Sequence, residues 1–284
     1  MNIFHAMHEF DTEAMNTNMV IRICGVEYNY ARSAALECFH DLEMLESLLS
    51  VYIEGSDISM INSANVGETV KLTDSATECL ISAFQAAQIS RGVIDVCMGE
   101  YFLKNKKDST IAIKGEPRRG VFEFDAENYA IRKKYDGMID LGAIGKGFAV
   151  DKIVDKLIDI WEVENAFITF GGSSIYAFGK PDDAESWIIR LGGEGGMEIP
   201  LNNAAVGASG VAVQGTHILD ARTGTVPENQ PYRTWAFAGS AAIADAMSTA
   251  FMILPLPEIK DICSEYNLSA AIQQTPDSPI EIIE

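Results

Sequence analysis

The sequence predicts an α+β fold of mostly antiparallel sheets packed with helices. Three observations lead there. Strand-like and helix-like runs mix along the 284 residues without strict βαβ alternation. Several neighbouring strand-like runs lie close enough to pair as hairpins or meanders. Apolar residues make up 48% and charged residues 22%, so a chain of this length can bury a sizeable core. It suits a single domain over 1–284, whether one unit or two intertwined subdomains.

Residues 18–28 read as a strand. Residues 30–50 read as a helix, with Leu42, Leu45, Leu48 and Leu49 on one face. The run YIEGSDISMIN reads as a loop. A second helix is expected over 74–91, with Asp74 as its cap and Gly92 as its stop. Residues 105–120, polar and basic, read as a solvated loop with one short strand. Residues 121–135 alternate like a hairpin turning near Glu127-Asn128. A helix is expected over 145–161, then strands at 166–170, 186–191, 198–202 and 216–220. A further helix is expected over 240–254 with Ser240 as N-cap, another over 257–266, and a last strand in SAAIQQ.

The formal net charge is -20. Such a surface repels phosphate backbones and anionic membranes, which excludes nucleic acid as an expected partner. An anionic ligand would need local positive charge or a bound cation. The five cysteines, Cys24, Cys38, Cys79, Cys97 and Cys263, form no CxxC pair, and reduced buried thiols are expected. The first residues, MNIFHAMHEFDTEAMN, carry no basic n-region, apolar h-region or lipid-attachment cysteine. No run approaches the ~20 apolar residues of a membrane span. The expectation is a non-exported, cytoplasmic chain without a transmembrane segment.

Four segments carry residue types suited to chemistry. In DLGAIGKG, from Asp140 to Gly147, an apolar strand end meets three glycines and a helix bearing Lys146. Glycines admit a phosphate close to backbone N–H groups, and a helix N-terminus favours an anion. A ligand-free strand-to-helix turn has the same pattern. In ADAMSTA, Asp245 and Thr249 are four apart on one helix face. A carboxylate with a hydroxyl suits a hard cation such as magnesium. A buried aspartate bonded to local backbone, with Thr249 bonded back to a carbonyl, fits equally. In THILDARTG, His217 and Asp220 flank a strand end, and a lone histidine is usually structural. The run from Leu48 to Asn62 contains an aromatic and short polar groups able to grip a planar ligand, or to make an ordinary connection.

Taken in order, these segments resemble the ApbE family of FAD:protein FMN transferases. The resemblance runs from Glu13-Ala-Met-Asn-Thr17 to beyond Pro255. It includes LLSVYIEGSDISMIN, GVIDVCMG, DLGAIGKGFAVDK, NAFITFGGS, VGASG, HILDARTG and ADAMSTAF. It implies an ApbE-like, T-fold-like architecture. It also implies transfer of the FMN half of FAD, through a phosphoester bond, to a Ser or Thr of an acceptor flavoprotein, with release of AMP. Magnesium is the implied cofactor and FAD the substrate. Met15 and Tyr52 would flank the flavin, and Val93, Ile94 and Asp95 would line the nucleotide pocket. Asp140 and Lys146 would contact FAD, with His217 and the Leu219 backbone beside it. The Ala143 carbonyl, Asp245 and Thr249 would hold magnesium, with Ser248 beside them. Asp245, His217 and Lys146 would be catalytic, and the base assisting the attacking hydroxyl would be His217 or a metal-site carboxylate. The same site would also allow water to split FAD to FMN and AMP, or binding without turnover. The chain departs from the family pattern at Ser173, at Ala221 in place of proline, and in the short stretch between Gly210 and His217.

Overall fold

A computed structural model describes residues 7–101, 120–193, 195–211 and 218–284. Strands β1 (His8–Ala14) and β2 (Thr17–Cys24) form a hairpin that leads into the long helix α1 (Tyr28–Leu49). A short helix α2 (Asp57–Ser63), strand β3 (Thr69–Lys71) and helix α3 (Asp74–Ile89) follow. The expected hairpin at 121–135 is β4 (Phe122–Asp125) and β5 (Ala130–Lys133), and β3 joins them in a three-stranded sheet. Helix α4 (Gly145–Asp159) precedes β6 (Asn165–Phe170), β7 (Ser174–Phe178), β8 (Trp187–Leu191), β9 (Met197–Leu201) and β10 (Ala204–Gly210). The chain ends with β11 (Arg233–Ala238), α5 (Ala241–Phe251), α6 (Leu256–Tyr266), β12 (Ser269–Gln273) and β13 (Ile280–Ile283).

The main sheet has the order β1-β2-β6-β7-β10-β11-β12-β13, and every adjacent pair is antiparallel. Side chains alternate across it with period two. Ala166, Ile168 and Phe170 of β6, Ala236 and Ala238 of β11, and Ala270 and Ile272 of β12 face the helices. Phe167, Trp235 and Ala271, their neighbours in sequence, face the β8–β9 hairpin with Trp187, Ile189 and Leu201. Both faces are therefore buried, which explains why these strands read as near-continuous apolar runs.

Several expectations change. The YIEGSDISMIN loop contains α2, capped by Ser56, whose hydroxyl accepts from the Ser59 N–H at 3.0 Å. A helix of seven residues with two buried apolar ones, Ile58 and Ile61, is too short for its period to stand out. The cap of α3 is Thr73, and Asp74 is its first helical residue. The expected 216–220 strand does not form over Ile218 and Leu219, and only Asp220 makes a bridge, to Thr225. The Asp220 carboxylate accepts from the Arg222 N–H at 2.8 Å and from its guanidinium, and this local turn replaces a ladder. Most of the expected 105–120 loop, and residues 216 and 217 of the expected strand, lie outside the described residues.

Helix α5 lies directly on the sheet. Gly207 of β10 faces it, and a Cβ there would overlap the Ala244 carbonyl. Gly147 of α4 meets it from the other side, where a Cβ would overlap the Ala241 carbonyl. Alanines at 241, 242, 244, 246 and 250 let both approaches occur. Gly207→Ala is expected to cost about 3 kcal/mol by forcing α5 off the sheet. Urea denaturation measures this, and an unchanged midpoint would show that the helix can shift without loss.

Candidate active site

The chain enters the site along residues 138–140. Here Met138 bridges Met98, the Asp140 N–H donates to the Val96 carbonyl at 2.9 Å, and the Gly99 N–H donates to Met138 at 2.9 Å. Asn62 of α2 straps the same stretch, accepting from the Ile139 N–H at 2.7 Å and donating to its carbonyl at 2.9 Å. Asp140 is buried and turns back on itself, accepting from the Gly142 N–H at 2.6 Å. That turn starts α4, whose N-cap, Ile144, has no capping side chain.

The missing cap comes from another helix. Asp245 of α5 is buried, and its Oδ2 accepts from the Gly147 N–H at 3.1 Å and from the Lys146 ammonium at 3.4 Å. Its Oδ1 accepts from the buried Ser174 hydroxyl at 3.0 Å. A carboxylate at a helix N-terminus is favoured by the dipole, and the lysine compensates the buried charge. One turn on, Thr249 is the one α5 residue that is not buried. Ser248 is fully buried, donating to the Asp245 carbonyl at 2.8 Å and lying 3.0 Å from Ser209 Oγ.

The structure thus brings Lys146 of α4 against Asp245 of α5, with Ser248 and Thr249 one turn along α5 and with Asp140 and Ala143 in the turn that leads into α4. Val93, Ile94 and Asp95 lie alongside: the Ile94 N–H bonds the Ser90 hydroxyl at 3.3 Å, and Asp95 accepts from the Cys97 N–H at 2.9 Å. The Ala221 N–H donates to the Val93 carbonyl at 3.0 Å, which ties the segment after Leu219 to this pocket wall. A proline at 221, as in the family pattern, would lack that donor. Leu219 is buried, and His217 lies outside the described residues.

Met15 sits in the β1–β2 turn. Ala14 pairs Thr17, and Met15 and Asn16 both take positive φ, 47° and 59°, as a type I′ turn requires. Asparagine tolerates this conformation and methionine does not, so Met15 is held at a local cost of about 1 kcal/mol. The turn shares its sheet end with Gly171, whose N–H donates to the Asn18 carbonyl at 2.8 Å, three residues before Ser174. Glu46 of α1 lines the groove beside Met15. Tyr52 stands on the turn between α1 and α2 with 58% of its surface exposed.

Whether magnesium fits can be judged from the oxygens present. Among the described residues Asp245 Oδ1 accepts from the Ser174 hydroxyl alone, and no hydrogen bond ends on the Ala143 carbonyl. Among the described residues no group of three or more His, Cys, Asp or Glu is assembled. One carboxylate, one hydroxyl and one carbonyl suit a hard cation that keeps water and substrate phosphate in its shell. The donor set fits magnesium.

A family model, that of the ApbE family, matches residues 15–272. The chain belongs to the ApbE family. Within it, the FAD:protein FMN transferase of Haemophilus influenzae is 23% identical over 259 residues, spanning 80% of this chain and 74% of that protein. The apo flavinyl transferase ApbE of Pseudomonas stutzeri superposes with a TM-score of 0.83 at 19% identity, over 99% of this chain and 96% of its own. The ApbE protein of Thermotoga maritima gives 0.83 at 24% identity, over 98% and 97%. These likenesses establish the ApbE architecture, and with it the expected α+β class of antiparallel sheets and helices.

Sequence reading missed Ser174, Ser209, Thr234 and Asp151. Asp151 of α4 accepts from the Ala241 and Ala242 N–H groups at 2.6 and 2.9 Å and from the Ser240 hydroxyl at 2.7 Å, so it caps α5 with Ser240. Its spacing within α4 gives no hint of a partner so distant in sequence. The thiols are inert: burial pushes Cys24 and Cys263 to about 11 and Cys38 and Cys79 to about 12.

Burial raises the Asp151 carboxyl above its ordinary 3.8, against the hydrogen bonds from Ala242, Ser240 and Ala241 that lower it. The folded state then binds its proton more tightly than the unfolded state. Its contribution is fully present below pH 3.8 and is lost as pH rises through the folded value. The stability difference between wild type and Asp151→Asn should therefore shrink as pH rises from 3.8 through the raised folded value, measured by urea melts across pH. A difference independent of pH would show that hydrogen bonding cancels the effect of burial.

Proposed function

We propose that this ApbE-family chain is a magnesium-dependent flavinyltransferase that moves the FMN half of FAD to a Ser or Thr hydroxyl of an acceptor flavoprotein. The observation that carries the reading is the Asp245 carboxylate of α5 held against Lys146 and the Gly147 N–H in the first turn of α4, with Thr249 one turn further along α5.

The acceptor oxygen attacks the FMN-side phosphorus, the bond from that phosphorus to the bridging oxygen breaks, and AMP leaves carrying that oxygen. The hydroxyl proton passes to a base, His217 or a carboxylate of the site. Asp245, Thr249 and the Ala143 carbonyl would hold magnesium, which when bound neutralises charge on the diphosphate. Lys146, on the first turn of α4, supplies a second positive charge, and the helix N-terminus adds dipole. Asp140 and the 93–95 segment wall the nucleotide, while Met15 and Tyr52 bracket the flavin from the sheet end and from the turn between α1 and α2. Among the described residues no helix is long and apolar enough to cross a membrane.

The test is to incubate the protein with FAD, Mg²⁺ and an acceptor flavoprotein, then measure AMP and the covalent FMN adduct by mass spectrometry. Equal amounts of both support the proposal. AMP without adduct indicates hydrolysis, and bound FAD with neither product indicates a binding protein.

Asp245 holds donors from α4 and β7, so Asp245→Ala would leave them unpaired at a cost of about 3 kcal/mol. The near-isosteric Asp245→Asn keeps an acceptor and removes the charge. It is expected to retain near-native circular dichroism and lose at least 100-fold in Mg²⁺-dependent transfer. Wild-type rates would remove Asp245 from the metal site. Tyr52→Ala should weaken FAD binding about tenfold through lost stacking, and unchanged affinity in a fluorescence titration would remove Tyr52 from the flavin pocket.

A further inference from the structure

Ser209 of β10 projects toward α5, on the same strand face as Gly207. Its Oγ lies 3.0 Å from Ser248 Oγ and 3.0 Å from Thr249 Oγ1. Three hydroxyls and one carbonyl thus make three short contacts, and there are three protons to fill them. The Ser248–Asp245 carbonyl contact at 2.8 Å can be filled only by the Ser248 proton, since a carbonyl has none. The Ser209–Ser248 contact then requires the Ser209 proton. The Ser209–Thr249 contact then requires the Thr249 proton. Any other arrangement sets two lone pairs facing each other at 3.0 Å or leaves a carbonyl facing an oxygen without a proton. The alternative outlet for Thr249, its own helix carbonyl at Asp245, lies at 3.5 Å and already receives Ser248.

We propose that Ser209 is a positioning residue for the cation site: it fixes a one-way chain, Thr249 to Ser209 to Ser248 to the Asp245 carbonyl, that aims the lone pairs of Thr249 Oγ1 at the cation. Three features make the chain rigid. Ser248 is fully buried. The buried Thr234 hydroxyl, on the strand paired with β10, donates to the Ser248 carbonyl at 2.6 Å. The close approach at Gly207, two residues before Ser209, fixes the spacing between strand and helix. A hydroxyl that donates its own proton becomes a better acceptor, and chains of such bonds reinforce each other. Thr249 is the one residue of α5 left partly open, so the oxygen prepared in this way is also the one a cation can reach. Without Ser209, the Thr249 proton has no short acceptor among the described residues and turns into the position a cation would take.

The inference rests on the metal site proposed above, and the experiment separates the two. Mn²⁺ binding to the full chain with FAD present is followed by electron paramagnetic resonance of the unbound ion, with Mg²⁺ as competitor. Ser209→Ala is expected to weaken cation binding roughly tenfold, in the range seen when groups that orient metal ligands are removed. Ser209→Thr, which keeps the hydroxyl, should restore it. The Ser209→Ala defect should appear in the Mg²⁺ concentration needed for half-maximal rate, with kcat recovered at saturation. If Ser209→Ala binds Mn²⁺ like wild type while Thr249→Ala does not, the role of Ser209 is overturned and the metal site stands. If Thr249→Ala and Asp245→Asn both bind like wild type, the metal site itself is overturned. A kcat loss that saturating Mg²⁺ does not recover would make Ser209 merely structural and also overturn the proposal.

Discussion

One carboxylate, that of Asp245, joins three elements of this protein. From α5 it reaches the first turn of α4 through Gly147 and Lys146, and the main sheet through Ser174 on β7. That reach exists because α5 touches both neighbours backbone to backbone, at Gly207 and at Gly147. With a side chain at either glycine the helix would stand off, and the Asp245 oxygens would lose a donor. The alanines of α5 serve the same geometry. Asp151 runs the reciprocal connection, from α4 back to the N-terminus of α5. The two helices therefore exchange carboxylate caps, and the site is formed where they cross.

A buried ion pair is weak evidence for stability, because an apolar pair of similar volume is often as stable. The Asp245–Lys146 pair needs another reason to be there. Lys146 keeps 27% of its side chain exposed, against 6% for Asp245. The lysine is thus the more exposed partner and the carboxylate the buried one. Thr249, the partly open residue of α5, stands one turn along on the same helix face. A buried acid beside a partly open hydroxyl, covered by a partly exposed lysine, is an arrangement suited to exchanging ligands rather than to filling a core.

How much of this was readable in advance varies with the element. The hairpin at 122–133 and helices α1, α3, α4, α5 and α6 follow from periodicity and caps, with ends shifted by a few residues. Strand β10 does not, because AAVGASG has the composition of a poor strand former. Its small residues are there for the contact with α5, which no local pattern encodes. Strands β7 and β11 escaped as well, since burial of the sheet on both faces removes the alternation that marks a half-exposed strand. Within the site, Asp245, Thr249 and Lys146 were legible because their motifs are local. Ser174 and Ser209 were not: each hydroxyl gains its partner through strand register and helix packing, and a serine in a turn or strand carries no sign of either.

The acidity of the chain sharpens the same point. A net charge of -20 opposes any dinucleotide diphosphate approaching from solvent. On the transferase reading, the opposition must be overcome locally. Before ligand arrives, the Lys146 ammonium and the Gly147 N–H both face Asp245, so the positive end of α4 is screened by a fixed anion. A cation bound to Asp245 would cancel that anion and turn the helix N-terminus and Lys146 into an attractive seat for phosphate. The phosphate would in turn draw Lys146 from Asp245 and strengthen the hold on the cation. By linkage the two effects are equal in size. An acidic surface with one convertible spot then admits the dinucleotide only together with its metal, and α5, fixed by Gly207 against the sheet, is what keeps that spot in place.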